Sequence, residues 1–201
     1  MAHMTQIAYR LHGNCYLNIT DRCNLRCRFC PKFNGNWEVQ GYDLRLRHAP
    51  SLKEITAALG DPRRYREVVF CGLGEPTKRL YTLLQVAERI KARGGRVRLN
   101  TDGLANWFHE EDITPALAGR VDAVSVSLNA QDTRTYNRHC RPPTEGAHEA
   151  VLDFLARARC HVPEVTATAI DGLEGVDIGA CERLAAELGV GFRRRVLDQV
   201  G

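Results

Sequence analysis

The sequence predicts an α/β fold, an open partial (β/α)6 barrel with parallel strands, and three observations predict it. Six short strand patterns alternate with five helical ones along the chain. No linker, repeat or low-complexity tract separates them. Six strand units are too few to close an eight-stranded barrel, and strand–helix alternation winds by right-handed crossovers into a parallel sheet.

The strands are expected at residues 16–20, 67–71, 96–101, 122–128, 164–170 and 191–196. The helices are expected at 51–59 after Pro50-Ser51, at 80–93 before Gly94-Gly95, at 131–138, at 144–159, and at 177–188 before Gly189, since glycine ends a helix with little steric cost. Alternation within the strands separates two faces. Leu17 and Ile19 oppose Tyr16, Asn18 and Thr20; Val124, Val126 and Leu128 oppose Ser125, Ser127 and Asn129; Val165, Ala167 and Ala169 oppose Thr166 and Thr168. The apolar faces should meet outer helices, leaving a concave interior of small polar side chains, whereas filled barrel interiors favour bulky branched ones. Such an interior suits a polar ligand. Arg98 and Asn100 share a face of the third strand, which points them inward or leaves Arg98 on a solvated rim.

With 201 residues, 44% of them hydrophobic, the chain can bury one sizeable core. No stretch reaches the roughly 18 apolar residues of a membrane-spanning helix, and the N-terminus lacks an export signal. A cytoplasmic protein without membrane contact is therefore expected. Met1-Ala2-His3-Met4 reads as an expression-tag remnant, leaving 5–201 as a single domain. Eight cysteines without an export signal point to thiols and metal rather than to a disulfide framework. The net charge of +4 is mild, and of 28 basic residues only Lys32, Lys53, Lys78 and Lys91 are lysines. Arginine forks pair with carboxylates and phosphates, so Arg45-Leu46-Arg47 and Arg193-Arg194-Arg195 either contact an anionic substrate or reflect a GC-rich genome.

Three cysteines, Cys23, Cys27 and Cys30, follow the first strand at the spacing Cys-x3-Cys-x2-Cys. Three soft thiolates on one loop can hold three irons of a [4Fe–4S] cubane, which takes four ligands and keeps one iron open for a cofactor. A zinc knuckle or reduced core thiols are the alternatives; closed zinc needs a fourth ligand, with His12 or His48 recruited from a distance. Ligands of parallel sheets bind beyond the carboxyl ends of the strands. There the second strand runs into Cys71-Gly72-Leu73-Gly74-Glu75-Pro76-Thr77 and the third into Asn100-Thr101-Asp102-Gly103. Taken singly, both are ordinary tight turns.

The cysteine spacing, with Phe29 just before the third cysteine, resembles the signature of the radical S-adenosylmethionine (SAM) superfamily. The loop from Gly72 to Pro76 is similar to its Gly-Gly-Glu-Pro motif, with Leu73 in place of the first glycine. The resemblance implies the same partial barrel, with Cys23, Cys27 and Cys30 as cluster ligands and the site of catalysis. It implies that Gly72, Gly74, Glu75 and Pro76 hold the SAM amino group and that Asn100, Thr101 and Asp102 bond its ribose or methionine part. Ser127 and Asn129 would contact the ribose and carboxylate, Thr168 the adenine pocket and Phe29 the adenine, while Arg138 and Arg141 would grip the SAM carboxylate or an anionic substrate. Segments along nearly the whole chain, among them Ser127-Leu128-Asn129-Ala130 and Tyr136-Asn137-Arg138-His139-Cys140-Arg141-Pro142, look like the compact TatD-associated radical SAM family. Glycyl-radical activases and carboxydeazaguanine synthase have similar cores.

The activity so implied is reductive cleavage of SAM to methionine and a 5'-deoxyadenosyl radical, followed by hydrogen abstraction from an unidentified substrate. It requires an outside one-electron donor, flavodoxin or ferredoxin-like, and suggests a functional link to a TatD-type nuclease. A chain that stops at the sixth strand should leave a wide mouth, which favours a protein or peptide substrate ahead of a nucleotide-derived small molecule or a nucleic acid. The rival is a non-catalytic iron–sulfur or zinc module that senses redox state. Cys140, in a loop that can cover the site, is a candidate for hydrogen donation or a covalent link; Cys15, Cys160 and Cys181 read as core or surface thiols, and Cys71, at the end of the second strand, as core-packed.

Overall fold

The structure, a computed structural model, describes residues 6–197; the proposed tag remnant at 1–4 lies outside the described residues. In chain order the elements are β1 (Ala8–Leu11), β2 (Asn14–Leu17), β3 (Glu38–Val39), β4 (Tyr42–Asp43), α1 (Leu52–Leu59), β5 (Val68–Phe70), α2 (Leu80–Ala92) and β6 (Val97–Thr101). They continue with α3 (Ala105–His109), α4 (Thr114–Leu117), β7 (Ala123–Ser127), α5 (Thr133–Cys140), α6 (Ala147–Ala158), β8 (Glu164–Asp171), α7 (Ile178–Glu187) and β9 (Gly191–Val196).

Seven strands form one sheet in the order β1-β2-β5-β6-β7-β8-β9. From β2 to β9 every pairing is parallel, the α/β arrangement expected. The first expected strand is shifted: the ladder covers 14–17 rather than 16–20, because β2 is half of an antiparallel hairpin with β1, Ala8 opposite Leu17. His12 and Gly13, both with positive φ, make the two-residue turn that matches the twist of a hairpin. His-Gly is a weak turn signal, so the edge strand was hidden. Two short helices, α3 and α4, and the β3–β4 hairpin are also additional.

Helix termini show why the chain breaks where it does. Ser51 and Glu54 form a capping box on α1, and Asp132 and Asp177 cap α5 and α7 through the backbone N–H groups of Thr135 and Ala180. The apolar strand faces meet the helices as expected: Leu17, Ile19, Val124, Val126, Leu128, Val165, Ala167 and Ala169 all join the main core with α2 residues Leu83, Val86 and Ile90.

The polar face carries Arg98 inward. Its guanidinium pairs with Glu67 at 2.7 and 2.9 Å and donates to Ser125 Oγ at 3.3 Å. Arg96 joins Glu67 at 2.9 Å and Glu164 at 2.7 Å, so an ion-pair network ties the amino ends of β6 and β8 to the residue before β5. Burial pushes the Glu67 carboxyl up, but Arg98 and Arg96 outweigh it and leave its pKa below the ordinary value. A lowered native pKa means a stabilisation that is complete above about pH 4.3 and is lost as pH falls through the native value. Glu67→Gln should therefore lower stability at pH 7 by about 1.5–3 kcal/mol, the range for hydrogen bonds to charged groups. Urea titrations of both proteins between pH 7 and 3 should show the gap closing toward acid; a gap that stays constant contradicts the assignment.

Candidate functional site

Strand β2 runs directly into the loop that bears Cys23, Cys27 and Cys30, all partly buried. Two other segments fix this loop. Glu75 N donates to Arg22 O at 2.7 Å on one side; Arg26 N and Arg28 N donate to Cys140 O and His139 O at 3.1 and 2.8 Å on the other. The glycines of the β5 loop make the first junction possible. A Cβ on Gly74 would stand 2.3 Å from Thr20 O and 2.8 Å from Arg22 O, and one on Gly72 would stand 2.3 Å from Asn18 Oδ1. Close approach, rather than unusual backbone angles, requires glycine here. Leu73, in place of the motif's first glycine, packs against Tyr9, Val39 and Leu44.

Glu75 joins the β5 and β6 loops. Its carboxylate accepts from Thr77 N and Thr77 Oγ1 at 2.9 and 2.7 Å, from Thr101 Oγ1 at 2.9 Å and from Asp102 N at 2.7 Å. Pro76 is buried and opens the short 3-10 turn Pro76–Arg79. Asp102 accepts from Leu104 N at 2.9 Å and Asn24 Nδ2 at 3.3 Å, with Cys23 Sγ 4.0 Å away. Thr101 and Asp102 are thus engaged within the protein, and the carbonyls of 72–74 are the groups this loop has left for a ligand.

The surroundings of Cys23 and Cys27 favour the protonated thiol. Burial, then the carboxyls of Asp102 and Glu75, push Cys23 up to about 12. Cys27 is driven well above its ordinary value by its hydrogen bond with Cys140 and by burial. Metal must displace these protons, so loading releases acid. Among the described residues no three His, Cys, Asp or Glu side chains converge on one point. A cubane takes one thiolate per iron, whereas a tetrahedral zinc takes four ligands on one ion.

Among the described residues five buried amide carbonyls, the Oδ1 atoms of Asn14, Asn18, Asn100, Asn129 and Asn137, have no hydrogen-bond partner, and Asn18, Asn100 and Asn129 lie at the carboxyl ends of β2, β6 and β7. Buried acceptors are nearly always satisfied, so a row of three at the strand ends fits a ligand that brings donors, such as an ammonium and ribose hydroxyls. The donor set and the glycine cradle therefore fit a [4Fe–4S] cluster with SAM.

Comparison with known proteins agrees. The sequence model of the radical SAM superfamily matches residues 17–188. The chain belongs to that superfamily. A [4Fe–4S] cluster and SAM are accordingly its cofactors. Curated relatives include a GTP 3',8-cyclase of Lactiplantibacillus plantarum, 34% identical over 152 residues, covering 74% of this chain and 42% of the relative. Another is the tungsten-containing aldehyde ferredoxin oxidoreductase cofactor-modifying protein of Pyrococcus furiosus, 36% identical over 125 residues, covering 59% of this chain and 31% of the relative. The chain spans less than half the length of either. Among solved structures, Streptococcus suis SuiB bound to SAM superposes with a TM-score of 0.65 at 13% identity, covering 92% of this chain and 38% of that one; this likeness concerns the fold.

The remaining expected residues are spread along the strand ends. Ser127 is half-buried at the end of β7; Asn129 is buried with a left-handed backbone and donates from Nδ2 to Cys140 Sγ at 3.5 Å. Thr168 is buried and donates to Val126 O at 3.3 Å. Phe29 packs partly against the main core. Arg141 is exposed at the carboxyl end of α5, and Arg138 pairs with Glu174 at 3.1 Å, so neither guanidinium is buried among the site residues.

Sequence reasoning missed three residues. Asn18 was placed on the polar face without a role, yet it meets Gly72. Tyr136 is fully buried, its hydroxyl has no partner, and burial together with Cys140, Asp102 and Cys27 raises its pKa; helical periodicity alone reads it as core. Cys71, expected to be core-packed, instead lies outside the main core, because it follows Phe70 on the opposite face of the strand; burial raises its pKa, and Asn100 opposes that push.

Proposed function

We propose that this chain cleaves SAM reductively and uses the resulting radical to abstract hydrogen from a substrate. The observation that carries it is the row of unpartnered acceptors, Asn18, Asn100 and Asn129, along the strand ends beside the three-cysteine loop. When bound, the cluster and SAM supply one-electron cleavage of a carbon–sulfur bond and a 5'-deoxyadenosyl radical.

The residues of the chain have separate tasks in this scheme. Cys23, Cys27 and Cys30 hold three irons and leave the fourth to SAM. The carbonyls of 72–74 receive the SAM ammonium, with Gly72 and Gly74 permitting the approach and Glu75 and Pro76 fixing the loop. Asn100 and Asn129 accept from ribose or methionine donors, Thr101 and Asp102 shape that turn, Ser127 and Thr168 complete the polar wall, and Phe29 shields the adenine. Arg141, exposed beside this wall, is positioned for an incoming anion. Buried thiols and Tyr136 exclude water from the cluster side.

Within the superfamily we place the chain in the compact TatD-associated group, as a cytoplasmic enzyme served by a flavodoxin or ferredoxin-like donor and linked in function to a TatD-type nuclease. The full-length segment resemblance supports this. A protein or peptide substrate is the reading we place first. A nucleotide-derived substrate is the second reading, favoured by the relatives named GTP 3',8-cyclase. No described helix is long and apolar enough to cross a membrane.

The test is anaerobic incubation of iron-reconstituted protein with SAM and dithionite, with 5'-deoxyadenosine measured by mass spectrometry. Production is expected, and Cys27→Ala should reduce it to background by removing one iron ligand. Absence of product from protein carrying a full four-iron cluster would transfer the assignment to a binding or redox-sensing module.

A further inference from the structure

Strand β9 carries Arg193, Arg194 and Arg195 in succession, and its ladder with β8 sorts them. Arg193 lies beside Thr168, Arg195 beside Ile170 and Arg194 beside Ala169. Neighbours across a parallel ladder face the same way. Ala167 and Ala169 belong to the helix-covered core, and Phe192, two residues before Arg194, packs against it. Thr168, Ile170, Arg193 and Arg195 therefore face the concave interior.

The two orientations differ in charge balance. Arg194, facing outward, forms an ion pair with Asp171. Arg193 and Arg195 have no carboxylate partner among the described residues, whereas the other inward arginine, Arg98, is neutralised by Glu67. Arg193 is exposed near the sheet edge, as a solvated side chain would be; Arg195 is the informative one, because it is half-buried. Burial pulls its guanidinium pKa down, and Arg193 adds to the effect. Both charges reach across the barrel to Cys71, opposing the upward push of burial on that thiol, and Arg193 also reaches Tyr16. A partly desolvated cation without a counter-ion is unfavourable; Arg195 is one, and the charge of Arg193 stands beside it on the same face.

Their Cα atoms, two residues apart on a strand, stand roughly 6.6 Å from each other, which lets two forks close on one tetrahedral group. Two uncompensated positive charges match a dianion better than a single carboxylate. We propose that Arg193 and Arg195 bind a phosphate or diphosphate group of the substrate, inside the barrel and opposite Cys71. That the molecule carrying the group is the substrate rests on the radical SAM reading above; the anion site itself does not.

Calorimetry on the full chain, anaerobic and cluster-loaded, tests it with inorganic pyrophosphate as the probe and succinate, a dicarboxylate dianion, as the comparison. Saturable pyrophosphate binding is expected. The double variant Arg193→Gln/Arg195→Gln should weaken it at least about tenfold, and Arg194→Gln should change it by less than about twofold. Arg193→Gln alone, at an exposed position that cannot compromise folding, should weaken binding in the same direction. Succinate should bind more weakly than pyrophosphate. Wild-type protein that binds no pyrophosphate, a double variant that binds it as well as wild type, an equal loss in Arg194→Gln, or succinate bound as tightly would each overturn the proposal. Pyrophosphate binding needs no SAM cleavage, so failure of this site and failure of the radical reading are seen in separate measurements.

Discussion

Gly74→Ala is expected to empty the site while leaving most of the barrel folded. The added methyl would stand 2.3 Å from Thr20 O and 2.8 Å from Arg22 O, and both are backbone atoms of the segment that carries the cysteines. No side-chain rotation relieves such a contact, so the β5 loop and the cysteine loop must separate. Separation stretches the Glu75 N to Arg22 O bond, 2.7 Å in the native chain, and moves Cys23, the next residue. A displacement of about 1 Å at a reacting centre costs on the order of a hundredfold in rate. SAM-dependent formation of 5'-deoxyadenosine should fall by at least that factor, with iron content per chain reduced and the far-ultraviolet circular dichroism unchanged. Gly60→Ala is the contrast: a Cβ there meets nothing within 4 Å, although its positive φ adds local strain, and cluster loading should survive. Native iron content and activity in Gly74→Ala would show that the two loops are not required to touch.

The parts of the fold visible in the sequence were those set by periodicity. Strand β9 was delimited at 191–196 because Gly191 and the end of the arginine run bound it, and the structure gives the same span. The inner face was visible for the same reason: side chains alternate along a strand, so Ser125 and Thr168 had to oppose Val124 and Ala167. The hairpin partner of β2 was not visible. Ala8–Leu11 has only four residues, and its turn uses His12 in a left-handed conformation that sequence preferences assign to asparagine.

At the site, spacing along the chain revealed the cysteine loop, since all three thiols lie within eight residues of each other. Contacts between distant segments were illegible. Nothing in the primary sequence links Gly72 with Asn18 or Cys27 with Cys140; only the register of β2 against β5, Leu17 beside Phe70, brings the first pair together. The arginine run was noticed as charge, but its division into one outward and two inward guanidiniums depends on the phase of β9 relative to β8.

Glu75 is where local and distant structure meet, and its removal should have the largest effect on stability. Four donors converge on its two oxygens: three on Oε1 and, on Oε2, the N–H of Asp102. Burial raises the Glu75 pKa although those donors favour the charged form. Glu75→Ala leaves two backbone N–H groups and two hydroxyls buried without this acceptor, a loss of about 3–5 kcal/mol by analogy with one-sided removal of a buried partner. Glu75→Gln is a finer probe. An amide can keep its oxygen toward Thr77 and Thr101, but its NH2 then faces the Asp102 N–H, donor against donor, for about 1–3 kcal/mol. For a chain of about 200 residues each kcal/mol shifts the melting temperature by about 2–4 °C, so the two variants should melt in the order alanine, glutamine, wild type. Cluster-free protein should show the same order, because the network holds two loops together before any cofactor arrives. If Glu75→Gln melts with wild type yet fails to bind SAM, the carboxylate contacts the ligand directly and its role as a brace between the β5 and β6 loops is refuted.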